Sequence, residues 1–497
     1  LEGLKDAPSF MQAASNASRM KPVIALKAGR TSASKQAALS HTGSLAGSWD
    51  VYRAAFRECG VVVVDTLEAM FDTANLLQRY PRPIGDRLAI VTNGGGAGIL
   101  AVDALAGSDA RLATLGSVTM ASLEESLPAN WSHSNPVDII GDAGAERYEA
   151  SVSAVLADEQ IDAVLVMNCP TALLVPGEAA LATAQAVARA RRNGTSKPVF
   201  GCWLGDANLR VSAPILQAAG IPAFSAPADA SNGFASLVRS TQARERAPVK
   251  PHPHVSEAAV AEAQELISAV QGDDRKAFSE IEAKRLLKLF GIPVAETSLI
   301  KGFDEIDAAC NAIDPPYALK IVSPDLTHKS DHGGVALGLA DTGSVKHAAK
   351  AMLAHISNAF PNARIEGYAL QPMIARKAAH ELFAGLATDP TFGRIILFGA
   401  GGTAIEVIAD KAIGIPPVSS EQAEKMIAET RISRLLGGYR HIPATDLDTV
   451  KSVLIALSQI AATLSQISEL DINPLLADAT GVIALDARVI LADPAFV

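Results

Sequence analysis

The sequence predicts an α/β chain with doubly wound parallel-sheet domains in its first half and an α+β ligand-binding unit in its second. Three observations predict this. Runs such as Val61-Val62-Val63-Val64 and Leu88-Ala89-Ile90-Val91 lack polar alternation, so each reads as a strand buried on both faces, as in a parallel sheet with helices on either side. Alanine-rich stretches of helical spacing lie between such runs, which gives the strand and helix alternation of a doubly wound fold. Past a charged, proline-rich stretch at residues 244–256 the texture changes to mixed strands and a carboxylate-bearing end at residues 469–486.

Along the chain, residues 21–27 (Lys-Pro-Val-Ile-Ala-Leu-Lys) read as a short buried strand, followed by a polar loop and the segment Ser40-His41-Thr42-Gly43-Ser44-Leu45-Ala46-Gly47. Helical spacing over 49–59, a strand at 61–64 and a helix over about 67–79 lead to Pro81-Arg82-Pro83, a boundary. The alternation restarts with a strand at 88–92, the glycine loop Asn93-Gly94-Gly95-Gly96-Ala97-Gly98 and a helix through about 106. Strands at 163–167 and 198–203 and a short last strand at 221–224 complete a second, flavodoxin-like domain. The linker that follows has His252 and His254 between prolines without a carboxylate or cysteine beside them, so they read as linker residues rather than metal ligands. A helix over 280–290, a strand near 318–322 and mixed strands over 368–408 make up the last part. The expected division is a partial flavodoxin-like domain at 1–80, a second at 81–243, a linker at 244–258 and the α+β domain at 259–497.

The chain's 497 residues make room for roughly three domains at ~150 residues each. Its net charge of −10, with no long run of either sign, lacks the electrostatic footprint of a nucleic-acid binder. Cys59, Cys169, Cys202 and Cys310 are scattered without a C-x-x-C pair, which argues against a disulfide framework or a zinc site and fits a reducing cytoplasm. No apolar stretch reaches the ~18 residues of a membrane span, and the opening Leu1-Glu2-Gly3-Leu4-Lys5-Asp6 has no signal-peptide character. The first residues resemble a strand end running into a loop and helix, so the chain is expected to enter partway through a domain.

Two histidines in glycine-rich, polar segments draw the chemistry together: His41, and His328 in Ser323-Pro324-Asp325-Leu326-Thr327-His328-Lys329-Ser330-Asp331-His332-Gly333-Gly334. A neutral imidazole is nucleophilic, and glycines let backbone N–H groups approach a phosphate. Each alone reads better as an ordinary loop histidine, and only their company lifts them. Asn93, Gly94, Gly95 and Gly96 lie between a strand and a helix, where the helix dipole favours an anion, although a tight turn needs glycine too. No G-K-[ST] follows, so this is not a Walker A loop. Asn135-Pro136-Val137-Asp138-Ile139-Ile140-Gly141-Asp142 reads first as a turn with an Asp cap. In the last third, Lys320 closes an apolar strand approach, Phe398-Gly399-Ala400-Gly401-Gly402-Thr403 is a small-residue loop fit to lie over phosphates, and Asn473 and Asp486 offer hard oxygens from neighbouring strands. Together they favour a nucleotide-phosphate site holding Mg²⁺.

These segments resemble the NDP-forming acyl-CoA synthetases, the superfamily of ADP-forming acetate-CoA ligase and succinyl-CoA synthetase. The resemblance rests on residues 40–47, 93–98, 135–142 and 320–334, on Asp389-Pro390-Thr391-Phe392-Gly393 and on Asp471-Ile472-Asn473-Pro474, in the order found when the two subunits are fused. It implies an ATP-grasp fold for the C-terminal domain. It also implies that His41 is a phosphohistidine oriented by Glu2, and that His328 relays phosphate to the nucleotide site. Asn473 and Asp486 match the magnesium ligands, Asp471 a carboxylate near the phosphate, and Lys320 a nucleotide-phosphate contact with Gly401 and Gly402 over the phosphates. Glu381 stands in a family motif at the same site, and Asn93 to Gly96 would hold phosphate.

The implied reaction turns a carboxylic acid, CoA and ATP into acyl-CoA, ADP and phosphate through an acyl phosphate, in a cytoplasmic homo-oligomer, a dimer, without nucleic-acid or membrane partners. The family's N-terminal CoA-binding domain is expected to lie outside this chain, and His332 stands where an aliphatic residue is usual. Two other readings stay open: a catalytically idle regulatory relative, and an ATP-grasp ligase or lyase that diverts the activated acid.

Overall fold

The computed structural model describes residues 1–31, 48–81, 84–245, 255–326, 329, 332–402 and 410–493. The chain divides into two compact units, one of Leu1–Ala46 with Phe56–Ala247 and one of Gly47–Ala55 with Pro248–Val497.

In the first unit, β1 (Ile24–Leu26) and β2 (Val62–Val64) pair in parallel with Ile24 opposite Val62. The chain start lies beside β1, with the Leu1 amino group donating to the Leu26 carbonyl at 2.8 Å. A larger parallel sheet follows, made of β3 (Arg87–Thr92), β4 (Arg111–Leu112), β5 (Val137–Asp138), β6 (Ala163–Asn168), β7 (Val199–Trp203) and β8 (Ala223–Phe224). β6 pairs along one edge of β3, and the short β4 and β5 share the other edge end to end. The resulting order is that of flavodoxin-like sheets, whose ligand crevice opens at the carboxyl ends of the two central strands, here β3 and β6.

Alternate residues of β3 explain why the sheet needs helices on both sides. Leu88 and Ile90 pack with Leu76, Ala101 and Phe234, whereas Ala89 and Val91 pack with Tyr148, Val152 and Trp203. Asn135 closes the gap between β4 and β5. Its Oδ1 accepts the Ile90 N–H at 2.9 Å, and its Nδ2 donates to the carbonyls of Leu88 at 2.9 Å and Ala113 at 2.8 Å, so a side-chain amide stands in for a missing strand residue. The two short strands at this edge escape a reading by hydrophobic periodicity because each spans only two residues.

The second unit carries two antiparallel sheets. β9 (Ser298–Ile300), β10 (Tyr317–Val322), β11 (Val335–Leu339) and β12 (Gly367–Pro372) form one, in the order β11-β10-β12-β9. Its core joins Leu319 and Ile321 to Val345, Met352 and Ile356 of the helix Thr342–Ala359. β13 (His380–Asp389), β14 (Gly393–Ala400), β15 (Lys411–Gly414), β16 (Ile467–Asp478), β17 (Gly481–Ala484) and β18 (Ala487–Leu491) form the other. Leu382, Leu386, Leu470 and Ile472 of this sheet pack with Leu286, Leu287, Val453 and Leu457 of the helices Glu280–Leu289 and Leu447–Thr463. The α/β first half and α+β second half agree with the fold class read from the sequence.

Candidate active site

β16 organises the second unit's polar residues. It is long enough for β18 to pair with its first half (Ile472 opposite Ala487) and β17 with its second (Leu475 opposite Ala484). Asn473 and Pro474 therefore face the turn Leu485-Asp486, and the Leu485 N–H reaches the Pro474 carbonyl at 3.1 Å. The sequence placed Asp486 on a strand; it lies in this turn, free of ladder pairing, with its carboxylate accepting the Ala487 N–H at 2.8 Å. Asn473 and Asp486 thus present hard oxygens across one gap, a donor chemistry that fits Mg²⁺ completed by phosphate oxygens.

Asn473 also holds the glycine loop. Its Oδ1 accepts the Gly402 N–H at 3.0 Å, and the Gly401 N–H donates to the Glu381 carbonyl at 2.8 Å. Both N–H groups are engaged within the protein, so these glycines supply closeness rather than free donors. A Cβ on Gly401 would collide with the Leu382 backbone, and Gly402 has φ +88° with the Glu381 carboxylate 2.5 Å from where a Cβ would stand. Glu381 is exposed on β13, directly beside this loop.

Lys320 is buried in the middle of β10, and its ammonium is fully matched. It donates to Glu280 Oε1 at 2.7 Å, to the Leu485 carbonyl at 3.1 Å and to Asp486 Oδ2 at 3.3 Å. Glu280 Oε1 also accepts from Lys284 at 2.9 Å, and its Oε2 lies 3.4 Å from Lys329 Nζ. Lys284 donates further to Thr297 Oγ1 at 2.8 Å and Gln371 Oε1 at 2.6 Å. Burial would raise the Glu280 carboxyl, but the charges of Lys320, Lys284 and Lys329 outweigh it and hold it down at about 2. For Lys320, burial works against the charged form, and Asp486 with Glu280 more than restores it, so its pKa is raised. Burial wins at Lys284, whose pKa is lowered.

Asp471 shares its face of β16 with Glu469 and Asn473, while Leu470 and Ile472 point into the core. Burial first and the Glu469 charge second raise its carboxyl pKa, and Arg488, its partner on β18, offsets part of this.

In the first unit, Asn93 to Gly96 lie at the carboxyl end of β3, in the crevice position of the fold. Asn93 ties that end to β6, accepting the Cys169 N–H at 2.7 Å and donating to the Cys169 carbonyl at 2.9 Å. Gly94 caps the helix Gly95–Asp103. A Cβ there would stand 2.5 Å from Cys169 Sγ, and one on Gly95 would stand 2.8 Å from Asp138 Oδ2. Gly96 faces open space, and Gly95 and Gly96 belong to the first turn, where N–H groups lack helical partners. Asp138 caps the Ile140 N–H at 3.0 Å, so the 135–142 segment holds the sheet edge together. The Glu2 side chain is exposed, and its backbone carbonyl accepts from Lys27 at 2.7 Å. His41 and His328 both lie outside the described residues, as does Thr403.

The structure therefore brings Lys320 against Asp486, and Asn473 together with Gly401, Gly402 and Glu381; strand register sets the Asp486 turn opposite the Asn473-Pro474 step, and Asp471 lies on the same strand. Sequence reasoning missed Glu280 and Lys284. Their signal, a Glu and a Lys four apart at a helix start, is that of an exposed helical ion pair, and nothing local marks it as buried.

Family models match the chain in three places: a succinyl-CoA ligase like flavodoxin domain at residues 1–77, a Ligase-CoA domain at 88–239 and an ATP-grasp domain at 269–491. Acetate–CoA ligase [ADP-forming] I of Archaeoglobus fulgidus is 35% identical over 99% of this chain and 69% of its own length. The ADP-forming acetate–CoA ligase of Methanocaldococcus jannaschii is 31% identical over 99% of this chain and 70% of its own. For 4-hydroxybutyrate–CoA ligase [ADP-forming] of Nitrosopumilus maritimus the figures are 30%, 96% and 67%. No helix among the described residues is long and apolar enough to cross a membrane. The chain belongs to the NDP-forming acyl-CoA synthetases, the family of the ADP-forming acid–CoA ligases, enzymes that make carbon–sulfur bonds.

Proposed function

We propose that this chain carries the phosphoryl-transfer machinery of an ADP-forming acid–CoA ligase, taking a carboxylic acid, CoA and ATP to acyl-CoA, ADP and phosphate. The observation that supports the reading is the continuity of the second unit's site. Lys320 contacts Asp486, Asp486 faces Asn473 across the β16 gap, and Asn473 fixes Gly402 beside Glu381. Mg²⁺ would be held by Asn473 and Asp486 with phosphate oxygens, where it neutralises charge on the transferring group. Lys320, its ammonium held by Glu280, the Leu485 carbonyl and Asp486, meets the nucleotide phosphates through its positive charge.

His328 and His41 are the two stations of the relay. An imidazole nitrogen of His328 attacks the γ-phosphorus of ATP, an N–P bond forms, and the bond to the bridging oxygen breaks to release ADP. The phosphoryl group passes to His41, with Glu2 as the orienting carboxylate, and then to a carboxylate oxygen of the acid. The CoA thiolate attacks the resulting acyl phosphate, and inorganic phosphate leaves. Asn93 to Gly96 support the phosphate end of that exchange through the helix dipole and the N–H groups of Gly95 and Gly96 in the first turn of the helix Gly95–Asp103, the Gly94 N–H being held by Thr92 Oγ1 at 3.1 Å. Asp471, on the same strand as Asn473 and with its carboxyl pKa raised chiefly by burial, is the carboxylate near the phosphate.

Incubation of the full-length protein with γ-labelled ATP tests the relay. The expected label on protein is acid-labile and base-stable, is lost in His328→Ala, and persists in His41→Ala, which makes no acyl-CoA. Label retained by His328→Ala, or acyl-CoA made by His41→Ala, overturns the order of the two stations. The relatives named above act on different acids, acetate and 4-hydroxybutyrate, so a panel of acids assayed by ADP release is needed to identify this chain's substrate.

A further inference from the structure

Glu280 has no part in the chemistry above, yet its side chain is only 1% exposed and takes an ionised carboxylate out of water. Such burial costs several kcal/mol per ion unless the partners are close and well directed. Here they are. Glu280 opens the helix Glu280–Leu289, whose N-terminal dipole favours a negative group, and Ser279 with Glu282 closes a capping box that sets the helix start. The carboxylate's position is therefore determined by the helix, and its Oε1 grips Lys320 at 2.7 Å. A lysine has a flexible four-carbon stem, so an ammonium without such a grip samples several rotamers, and ordering it on ligand binding costs entropy.

We propose that Glu280 is a positioning residue for nucleotide binding: it holds the Lys320 ammonium beside Asp486 so that the cation is already in place when the phosphates arrive. The inference rests on the reading of Lys320 as the nucleotide-phosphate lysine. Lys284 is the internal contrast, since it shares Glu280 Oε1 but directs its other bonds to Thr297 and Gln371 instead of toward Asp486.

The test is calorimetric titration of the intact chain with ADP in saturating Mg²⁺, beside thermal unfolding, for Lys320→Ala, Glu280→Gln and Lys284→Met. Lys320→Ala and Glu280→Gln are each expected to weaken ADP binding at least about tenfold, or 1.4 kcal/mol. Lys284→Met is expected to lower the melting temperature as Glu280→Gln does, while its ADP affinity stays within about twofold of the wild type. If Lys320→Ala weakens binding and Glu280→Gln does not, positioning by Glu280 is wrong and the nucleotide reading of Lys320 stands. Equal weakening by Lys284→Met reduces Glu280 to general packing. Unchanged binding in Lys320→Ala overturns the reading of Lys320 itself. Should Glu280→Gln fail to fold, Glu280→Asp keeps the charge but withdraws it by one methylene, and an unchanged ADP affinity in that variant overturns the proposal.

Discussion

Asn473 Oδ1 accepts the Gly402 N–H at 3.0 Å, so the side chain proposed to bind the metal also fixes the glycine loop beside it. Removing it takes away a hard oxygen and strands a backbone donor. Asn473→Ala is expected to weaken Mg-ADP binding roughly 10- to 100-fold, a loss of about 1–3 kcal/mol. Asn473→Asp keeps an oxygen acceptor in place and is expected to lose less. Calorimetry on both variants decides the matter, and equal losses would remove the oxygen's assigned role.

The phosphate loop of the first unit separates space from function. Gly94→Ala drives a Cβ to 2.5 Å from Cys169 Sγ and is expected to destabilise by about 1–3 kcal/mol in urea unfolding, with partial relief in Gly94→Ala/Cys169→Ala. Gly96→Ala meets nothing within 4 Å and is expected to fold at least as well, gaining up to about 1 kcal/mol from helix propensity. Acyl-CoA formation should nevertheless fall in Gly96→Ala, because the added methyl stands where a phosphate would approach. Full activity in that variant moves the phosphate elsewhere.

Asn135 satisfies three backbone groups at the broken edge of β3. Asn135→Ala leaves the Ile90 N–H unmatched and takes one donor from each of two carbonyls, of which that of Leu88 keeps the Ala113 N–H at 2.8 Å; the stranded N–H alone is expected to cost about 1–3 kcal/mol of stability. Asn135→Asp restores the acceptor for Ile90 but offers the carbonyls no donor, so it should recover little. Urea unfolding checks both, and a neutral Asn135→Ala rules out the ladder role.

Acid sensitivity should trace in part to Glu280. Its carboxyl is held at about 2 in the folded chain, after burial and the opposing lysine charges are set against each other. In the unfolded chain it titrates near ~4.3. The folded value is depressed, so the stabilisation is complete above about 4.3 and is lost as pH falls toward about 2. Denaturant unfolding from pH 6 to pH 3 is expected to show a shallower decline for Glu280→Gln than for the wild type. Parallel declines would mean that Glu280 is not ionised in the folded chain.

The doubly wound half was legible because burial on both faces writes itself into local sequence: Leu88 to Val91 and Ala163 to Met167 are apolar without interruption, and each is a central strand. The glycine loop, Lys320, Asn473 and Asp486 were legible as residue types, whereas only the structure shows Lys320 inside β10 against Asp486 and Asn473 inside β16 holding Gly402. The two-residue strands β4 and β5 carry too little periodicity to read, and the amide that bridges them looked like a turn residue.

By itself, the sequence determined the class of fold, the order of its parts and the kinds of chemistry present, since periodicity, turn residues and nucleophile types are local properties of the chain. Tertiary structure alone decided which charges meet. Glu280 and Lys320 are 40 residues apart, and Lys320 and Asp486 are 166 apart, distances over which no local pattern reports contact. The physical reason is burial. The same Glu and Lys that form a weak pair on an exposed helix become a fixed electrostatic frame once β10 and the β17–β18 turn exclude water around them.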